Sequence, residues 1–300
     1  MTTDANVIET HALAKRYAGG VEALHALHLA VPRDQITGFL GRNGAGKSTT
    51  IKMLLGMIHP TSGAGRLLGR RIDNSKENCE ARRHIAYVAE DKQLYAYLTV
   101  SEMIRFTKSF YDDWRPAMEE ELLKRYELPL NRRVKALSKG MRTKLALLLA
   151  LARRPKLLIL DEPSEGLDPV AIEDLLQTLV AAAADGTTVF FSSHQIAEVE
   201  RIADRVCIID RGHLVSQFSM DEMRSNYRRI TAGFVNEPTE TDFQLPGIVS
   251  VTTSGRQIAL LASHNAEAVV ARAHNLKAIS VDVSPASLLE VFLETVKEHA

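Results

Sequence analysis

The feature that most constrains this chain is a glycine-rich loop, GRNGAGKST at residues 41–49. The loop fills every fixed position of the motif GxxxxGK[ST]. An apolar segment, GFLG, leads into it, and TTIKMLLGMI continues from it at helical spacing. Glycines let the backbone N–H groups converge on phosphate oxygens, and the following helix directs its positive dipole end to the same place. The sequence therefore predicts a nucleotide-binding α/β unit.

Two side chains of this loop carry the predicted chemistry. Lys47 is expected to bridge the β- and γ-phosphates, and the hydroxyl of Ser48 is expected to bind Mg²⁺. The alternative is a tight glycine turn with a solvated lysine, and the flanking strand and helix argue against it. The loop alone does not separate a kinase, a GTPase and a transport ATPase. The other loop positions expected to contact nucleotide are Gly41, Asn43, Gly44, Ala45, Gly46 and Thr49.

A pair of acids follows the apolar run LLIL at residues 157–160. Adjacent side chains of an extended strand point to opposite faces, but a turn at the strand end can bring both carboxylates to one site. We expect Asp161 to hold the metal and Glu162 to accept a proton from the attacking water, or to polarise it. A solvated Asp-Glu-Pro turn is the alternative. His194 follows another apolar run and is placed to reach the γ-phosphate.

The rest of the pattern predicts the domain organisation. Continuous apolar or β-branched runs at 157–160, 187–193 and 206–210 are typical of parallel strands covered on both faces. Apolar residues recur every three or four positions between 101 and 136, which indicates a helical insert. After residue 216 the pattern alternates strands and helices, as in a small α+β domain. The predicted divisions are a nucleotide-binding domain at 1–217, with a helical subdomain at about 90–153, and an accessory domain at 218–300.

The order of six motifs resembles the ATP-binding cassette (ABC) family from the start of the chain to about residue 215. These motifs are Tyr17, GRNGAGKST, LSKGM, LLILDEP, SEGLD and SSH. The resemblance implies an α/β P-loop NTPase cassette with a RecA-like core, an N-terminal antiparallel β subdomain and a helical subdomain. It also implies ATP and Mg²⁺ as cofactors. Two cassettes would face head to tail, with each ATP between the Walker motifs of one and the LSKGM signature of the other.

The resemblance also assigns roles to individual residues. Glu162 would be the general base, His194 would sense the γ-phosphate, and Lys47 would complete the catalytic set. Tyr17 would stack on adenine, with an exposed strand-end aromatic as the alternative. Three further residues would act across the dimer interface: Ser138, Gly140 and Asp168.

Two positions depart from the family pattern. The signature LSKGM carries Lys139 and Met141 where the family usually has Gly and Gln. A lysine there could add positive charge near the partner's phosphate or face solvent. Aligned by its LY and LTV landmarks, the segment YVAEDKQLYAYLTV puts Glu90 where the family carries a Gln that contacts Mg²⁺. An alignment on Asp91 or on Gln93 would remove this assignment. An ionised Glu binds Mg²⁺ through oxygen but donates no hydrogen bond. Its negative charge near ATP would raise the cost of binding nucleotide without metal, so we expect a stricter Mg²⁺ requirement.

Charge and composition restrict the partners. Lys plus Arg equals Asp plus Glu at 37 each, which gives no reason to expect a nucleic acid partner. The N-terminus lacks a signal-peptide pattern, and the longest apolar stretches fall short of the roughly 20 residues that span a bilayer. We therefore expect a cytoplasmic protein, and the resemblance to ABC transporters implies that it lies at the inner face of the cell membrane. Cys79 and Cys207 lie far apart and are expected to be packing thiols in a reducing cytosol.

The predicted function is the ATP-binding and ATP-hydrolysing subunit of an ABC transporter. It would form a homodimer, or pair with another cassette, and drive a separately encoded transmembrane permease. The helical insert and the C-terminal appendage resemble the bacterial exporter branch. The alternative is a soluble ABC ATPase acting on nucleic acid or ribosomes, although such proteins typically carry a second cassette, coiled-coil insertions or zinc cysteines. The segment at 94–98 is either a permease contact or a local core.

Overall fold

The computed structural model describes residues 6–297, which form two compact units. The first unit contains the described residues up to Leu214, and the second begins at Val215. The strands are β1 (Asn6–Arg16), β2 (Glu22–Leu27), β3 (Ala30–Pro32), β4 (Ile36–Leu40), β5 (Ser62–Leu67), β6 (Arg70–Arg71), β7 (Ile85–Val88), β8 (Leu157–Leu160), β9 (Thr188–Ser193), β10 (Arg205–Asp210), β11 (His213–Ser219), β12 (Arg228–Gly233), β13 (Ile248–Ser254), β14 (Gln257–Ala262) and β15 (Ser280–Pro285). The α-helices are α1 (Lys47–Leu54), α2 (Ser75–Arg82), α3 (Val100–Lys108), α4 (Pro116–Tyr126), α5 (Lys139–Leu151), α6 (Pro169–Ala184), α7 (Ile196–Ile202), α8 (Met220–Asn226), α9 (Ala266–Asn275) and α10 (Leu288–Lys297).

A parallel sheet forms the centre of the first unit. Its parallel strands lie in the order β10-β4-β9-β8-β7, with β11 next to β10 at the edge. Every residue of β4, β8 and β9 is buried. Strands covered on both faces need continuous apolar side chains, which is why the runs in the sequence predicted them. The carboxyl ends of parallel strands meet at one edge of the sheet. Three predicted site segments follow such ends: the glycine-rich loop after β4, the acid pair after β8 and His194 after β9.

The first unit also contains an antiparallel sheet, in the order β2-β1-β5-β6 with β3 paired to β1. Residues of this sheet and of the parallel sheet share one hydrophobic core, in which Leu13, Leu27, Phe39 and Phe190 are fully buried. The sequence predicted an antiparallel β subdomain here, and the structure contains one.

Helices α3, α4 and α5 form the predicted helical insert. A capping box starts α3: the Thr99 side chain accepts a hydrogen bond from the Glu102 N–H, and the Glu102 carboxylate accepts one from the Thr99 N–H at 2.8 Å. Pro116 occupies the first turn of α4, where its missing N–H costs nothing. Within residues 6–297, no helix combines the length and the apolar character that crossing a bilayer requires.

The second unit has the α+β composition that the sequence predicted. Its four strands form an antiparallel sheet in the order β13-β14-β12-β15. Ile230 of β12 lies opposite Leu260 of β14, and both side chains belong to a core that includes Val269 of α9 and Phe243. The alternating burial of β12 places the hydrophobic face of the sheet against α9.

The two cysteines differ in their surroundings. Cys207 lies in β10 and is fully buried, and this burial raises the pKa of its thiol to about 12. Cys79 is exposed, because α2 buries only Asn78 and Ala81 and turns its remaining face to solvent. The prediction of a packing thiol is therefore right for Cys207 and wrong for Cys79.

Candidate nucleotide-binding site

A cavity of about 340 Å³ lies at the carboxyl edge of the parallel sheet. It brings together the glycine-rich loop, three carboxylates and a histidine, which the sequence places on separate segments. The lining residues are Ala23, Arg42, Asn43, Gly44, Gly46, Lys47, Ser48, Thr49, Glu90, Glu162, Glu165 and His194. The structure thus gathers most of the predicted loop residues with Glu90, Glu162 and His194.

Glycines shape the loop. Gly46 has φ +109°, a backbone conformation that residues with a Cβ rarely adopt, and a Cβ there would lie 2.8 Å from the Ala23 carbonyl oxygen. Gly41 does not line the cavity; a Cβ there would come within 2.5 Å of the Ile209 carbonyl oxygen, so it is required for packing beneath the loop. Gly46 precedes the first residue of α1 and provides no side-chain cap. The first N–H groups of α1 therefore have no side-chain acceptor at the cap, and residues 46–49 line the cavity, as an anion site requires.

Lys47 is buried, and its ammonium lies against three oxygens of the protein. Nζ donates to the Gly41 carbonyl at 2.6 Å and to the Arg42 carbonyl at 3.2 Å, and it lies 3.0 Å from Oε1 of Glu162. Two of its three N–H donors therefore have carbonyl acceptors, and the contact with Glu162 is an ion pair without hydrogen-bond geometry. The cation is thus held between the phosphate-binding loop and the acid pair.

The acid pair is positioned by an unusual backbone conformation. Glu162 has φ +44°, which is uncommon for a residue other than glycine and occurs often at functional sites. This turn at the end of β8 lets neighbouring carboxylates serve one region. Ser192 of β9 joins them, because its hydroxyl donates to Oδ1 of Asp161 at 2.7 Å and accepts from the Glu162 N–H at 3.0 Å. Both acids are buried, and Ser192 is a site residue that the sequence analysis did not single out.

His194 lies between two carboxylates. Its Nδ1 is 2.9 Å from Oε2 of Glu162, which also accepts from the His194 backbone N–H at 3.3 Å. Its Nε2 is 3.7 Å from Oε2 of Glu165. Among the described residues, these three side chains form a group whose ligand atoms all lie within 4.8 Å of one another. This group differs from the predicted metal ligands Ser48, Glu90 and Asp161, and Glu165 was not predicted.

The predicted metal ligands lie on three segments around the cavity. Ser48 and Glu90 line it, and Asp161 is buried at the end of β8. Burial, together with the charges of Asp161 and Glu90, raises the pKa of the Tyr87 phenol to about 12. Hydroxyl and carboxylate oxygens are the hard ligands that Mg²⁺ prefers, so this donor set fits the ion.

Two lysines converge on the loop that follows Glu162. Lys92 Nζ donates to the Pro163 carbonyl at 3.2 Å, and burial, with the nearby charge of Lys139, lowers the pKa of Lys92 to about 8. Lys139 Nζ lies so close to Gly166 that a Cβ there would be 2.5 Å from it. The unusual signature lysine thus contacts the SEGLD segment of its own chain, an arrangement that the sequence analysis did not consider.

The residues predicted to act across a dimer lie outside this cavity in the described structure. Ser138 caps α5 by accepting a hydrogen bond from the Met141 N–H at 3.1 Å, and Asp168 caps α6 by accepting one from the Ala171 N–H at 2.9 Å. A Cβ on Gly140 would touch Ala171 at 3.4 Å, so the two helix N-termini are neighbours. The signature and the N-terminus of α6, with Asp168, therefore form a second surface of the same unit.

Tyr17 lies next to the loop rather than in the cavity lining. Its hydroxyl is 3.4 Å from Oγ1 of Thr49, and its ring is 40% exposed. Lys15 Nζ lies 5.2 Å from the ring centroid. An exposed ring beside the nucleotide cavity is compatible with stacking on a base and also with the alternative of an exposed strand-end aromatic.

The sequence of this chain is similar to those of ABC transporter ATP-binding proteins. A family model described as ABC transporter matches residues 24–165. The chain is 36% identical to the bacitracin transport ATP-binding protein BcrA of Bacillus licheniformis, over 75% of this chain and 74% of that protein. It is 33% identical to an uncharacterized ABC transporter ATP-binding protein of Synechocystis, over 74% of this chain and 65% of that protein.

A solved structure of the ATP-binding subunit of an ABC transporter has the same fold. It shares 33% of its sequence with this chain and superposes with a TM-score of 0.65, covering 73% of this chain and 92% of the solved one. The predicted P-loop cassette fold is therefore confirmed.

Proposed function

This chain belongs to the ABC transporter ATP-binding family, and from that premise we propose that it powers a separately encoded membrane permease that exports its cargo. The chain is the ATP-binding, ATP-hydrolysing subunit of such a transporter. One observation carries the proposal: the functional residues are divided between two surfaces of one unit. Lys47 and Glu162 face the cavity, whereas Ser138 and Gly140 lie on the second surface.

The division supports a head-to-tail dimer. A second cassette can bring its signature surface to the cavity of the first, and symmetry then completes two sites at once. The N-terminus of α5 would supply backbone N–H groups to the phosphate of the partner's ATP. We propose that Asp168, which caps α6 beside the signature, transmits changes across this interface. The partner is a second copy or another cassette.

We propose the following roles in hydrolysis. Glu162 accepts the proton of the attacking water, and His194 fixes the orientation of that carboxylate through its contact with Oε2. Lys47 neutralises charge on the β- and γ-phosphates, which requires that its ammonium shift from Glu162 toward the nucleotide. Tyr17 stacks on adenine. Ser48, Glu90 and Asp161 hold Mg²⁺, which when bound offsets the negative charge of the phosphates.

Glu90→Gln tests the metal assignment. Removing one negative charge from the lining of the cavity is expected to tighten ATP binding in EDTA by roughly three- to tenfold. The variant should also lose part of its response to added Mg²⁺. Calorimetric titrations with ATP, one in EDTA and one in Mg²⁺, measure both effects. Asp91→Asn is the matched control, because this adjacent carboxylate does not line the cavity. Equal behaviour of the two variants would contradict the role of Glu90.

An aromatic cluster supports the permease contact. Tyr95, Tyr97, Phe106 and Phe110 pack edge to face or tilted, with ring centroids 5.1–5.9 Å apart. All four are also 41–68% exposed, so the cluster is a surface rather than a closed core. Exposed apolar patches mark protein interaction sites. We propose that a permease segment docks on this aromatic cluster, with the chain at the inner face of the membrane.

Co-purification from detergent-solubilised membranes tests the proposed function. The tagged chain is expected to recover a polytopic membrane protein, identified by mass spectrometry. The double variant Tyr97→Ser, Phe110→Ser should lose that protein while keeping ATP hydrolysis in solution, because neither ring reaches the cavity. Val180→Ser, which alters an exposed apolar residue on α6, is the control. Recovery of ribosomes instead would favour the soluble ATPase.

We further propose that residues 1–217 act as the cassette and residues 218–300 as an accessory domain. The compact antiparallel sheet of the second unit, with its own core, supports a separate role for that part of the chain. The appended domain and the helical insert support the exporter assignment, and the similarity to a bacitracin transport protein is in keeping with it.

A further inference from the structure

We propose that Glu165 is a specificity-determining residue that competes with the γ-phosphate for His194, and so weakens the binding of ATP but not of ADP. The inference rests on the proposed nucleotide site. The imidazole of His194 lies between two carboxylates: its Nδ1 faces Glu162 at 2.9 Å, and its Nε2 faces Glu165 at 3.7 Å. A phosphate oxygen that reaches this ring must take the place of one carboxylate.

Glu162 is the less able of the two to move. Its side chain is 8% exposed, and its two oxygens contact the Lys47 ammonium, the His194 ring and the His194 backbone N–H. Its backbone N–H is held by Ser192. Displacing this carboxylate would leave a buried charge without its partners, which is costly.

Glu165 is free to move. Its side chain is 42% exposed. Among the described residues, its carboxylate pairs with His194 and makes no other hydrogen bond or ion pair. Its backbone N–H, which donates to the Glu162 carbonyl at 3.3 Å, anchors the turn and leaves the side chain able to rotate. Solvent can receive the displaced carboxylate at little cost.

The location makes the competition selective for the third phosphate. Glu165 lines the same cavity as Lys47 and the glycine-rich loop, but on the side formed by the ends of β8 and β9. In the proposed site, the loop would hold the phosphates nearer the sugar, and the γ-phosphate would extend toward His194. ADP ends before that point. The Glu165 carboxylate therefore opposes only a nucleotide that carries a γ-phosphate, both by occupying His194 and by repelling like charge.

The same contact also favours release of the phosphate after hydrolysis. After hydrolysis the released phosphate must leave His194, and Glu165 can take its place on Nε2. A ligand and an internal group that compete for one site shift each other's occupancy reciprocally. The carboxylate thus favours the state in which phosphate has left, and it limits how tightly ATP is held before hydrolysis.

The test is a double-mutant cycle on nucleotide binding. Affinities for Mg-ADP and for a non-hydrolysable Mg-ATP analogue are measured by calorimetry on the full chain. Glu165→Gln is expected to bind the ATP analogue roughly tenfold more tightly than the unmodified chain, with ADP affinity changed less than about twofold. In the His194→Ala background the same substitution should lose most of its effect, because the imidazole for which Glu165 and the γ-phosphate compete is absent.

Each outcome decides the question. Equal tightening for ADP and the ATP analogue would overturn the inference, since that result indicates general charge repulsion. The inference would also be overturned if Glu165→Gln tightened binding of the ATP analogue fully in the His194→Ala background, or if it changed binding in neither background. Glu121→Gln, an exposed carboxylate on α4, controls for the loss of one charge. Failure of the unmodified chain to bind either nucleotide would instead contradict the proposed function, so the two failures are distinguishable.

Discussion

Glu162→Gln is expected to reduce ATP turnover by about 100-fold or more while ATP still binds. The amide keeps the size of the side chain and an oxygen that can face Lys47, but it cannot accept the proton of the attacking water. Because ATP that is not hydrolysed stays between the two cassettes of the proposed dimer, the variant should accumulate an ATP-bound dimer. Phosphate release measures turnover, and size-exclusion chromatography with saturating Mg-ATP measures the dimer.

A second buried carboxylate supplies the control for this experiment. Glu198 accepts a hydrogen bond from the Ser164 hydroxyl at 2.6 Å, and burial raises the pKa of its carboxyl group. It does not line the nucleotide cavity. After substitution by Gln, the amide oxygen can still accept the hydrogen bond from Ser164. Glu198→Gln should therefore change turnover by less than about tenfold. A Glu162→Gln variant that stays monomeric with ATP, or that turns over normally, would contradict the mechanism.

Much of the fold and site could be predicted because local patterns determine them. The apolar runs of β8 and β9 identify buried parallel strands, and parallel strands end at a common edge. The acid pair and His194 follow those ends, so their proximity to the glycine-rich loop could be expected before any coordinates. By contrast, β5, β6 and α2 were not identified, because the segment 62–82 is polar and α2 buries only two side chains.

The details that could not be predicted depend on contacts between distant segments. Glu165 reaches His194 only because Glu162 adopts φ +44° and turns the following residues back toward the end of β9. The contact of Lys139 with Gly166 likewise joins the start of α5 to the loop after β8. Neither the spacing nor the type of these residues indicates such pairings. The site assignments themselves stay predictions that the variants described above can test.

A mixture of two inactive variants is expected to recover activity if each site is shared between two chains. Lys47→Met removes the ammonium of the glycine-rich loop, and Gly140→Asp places a negative charge on the signature, which we propose faces the partner's phosphate. Each alone should lose at least about 100-fold in turnover. In a mixed dimer, the intact Lys47 of one chain meets the intact Gly140 of the other. Random pairing at equal concentrations should then restore roughly a quarter of the wild-type rate.

The choice of Gly140→Asp and of the control makes this result specific. A Cβ at Gly140 would make an ordinary 3.4 Å contact with Ala171, so the variant is expected to fold. Mixing Lys47→Met with Glu162→Gln provides the control, because both substitutions affect the cavity surface and every mixed dimer then has two defective sites. Recovery in the first mixture and none in the second requires that the cavity and the signature of one site come from different chains. If neither mixture recovers while mixed dimers are present, each chain carries its own complete site and the head-to-tail arrangement is wrong.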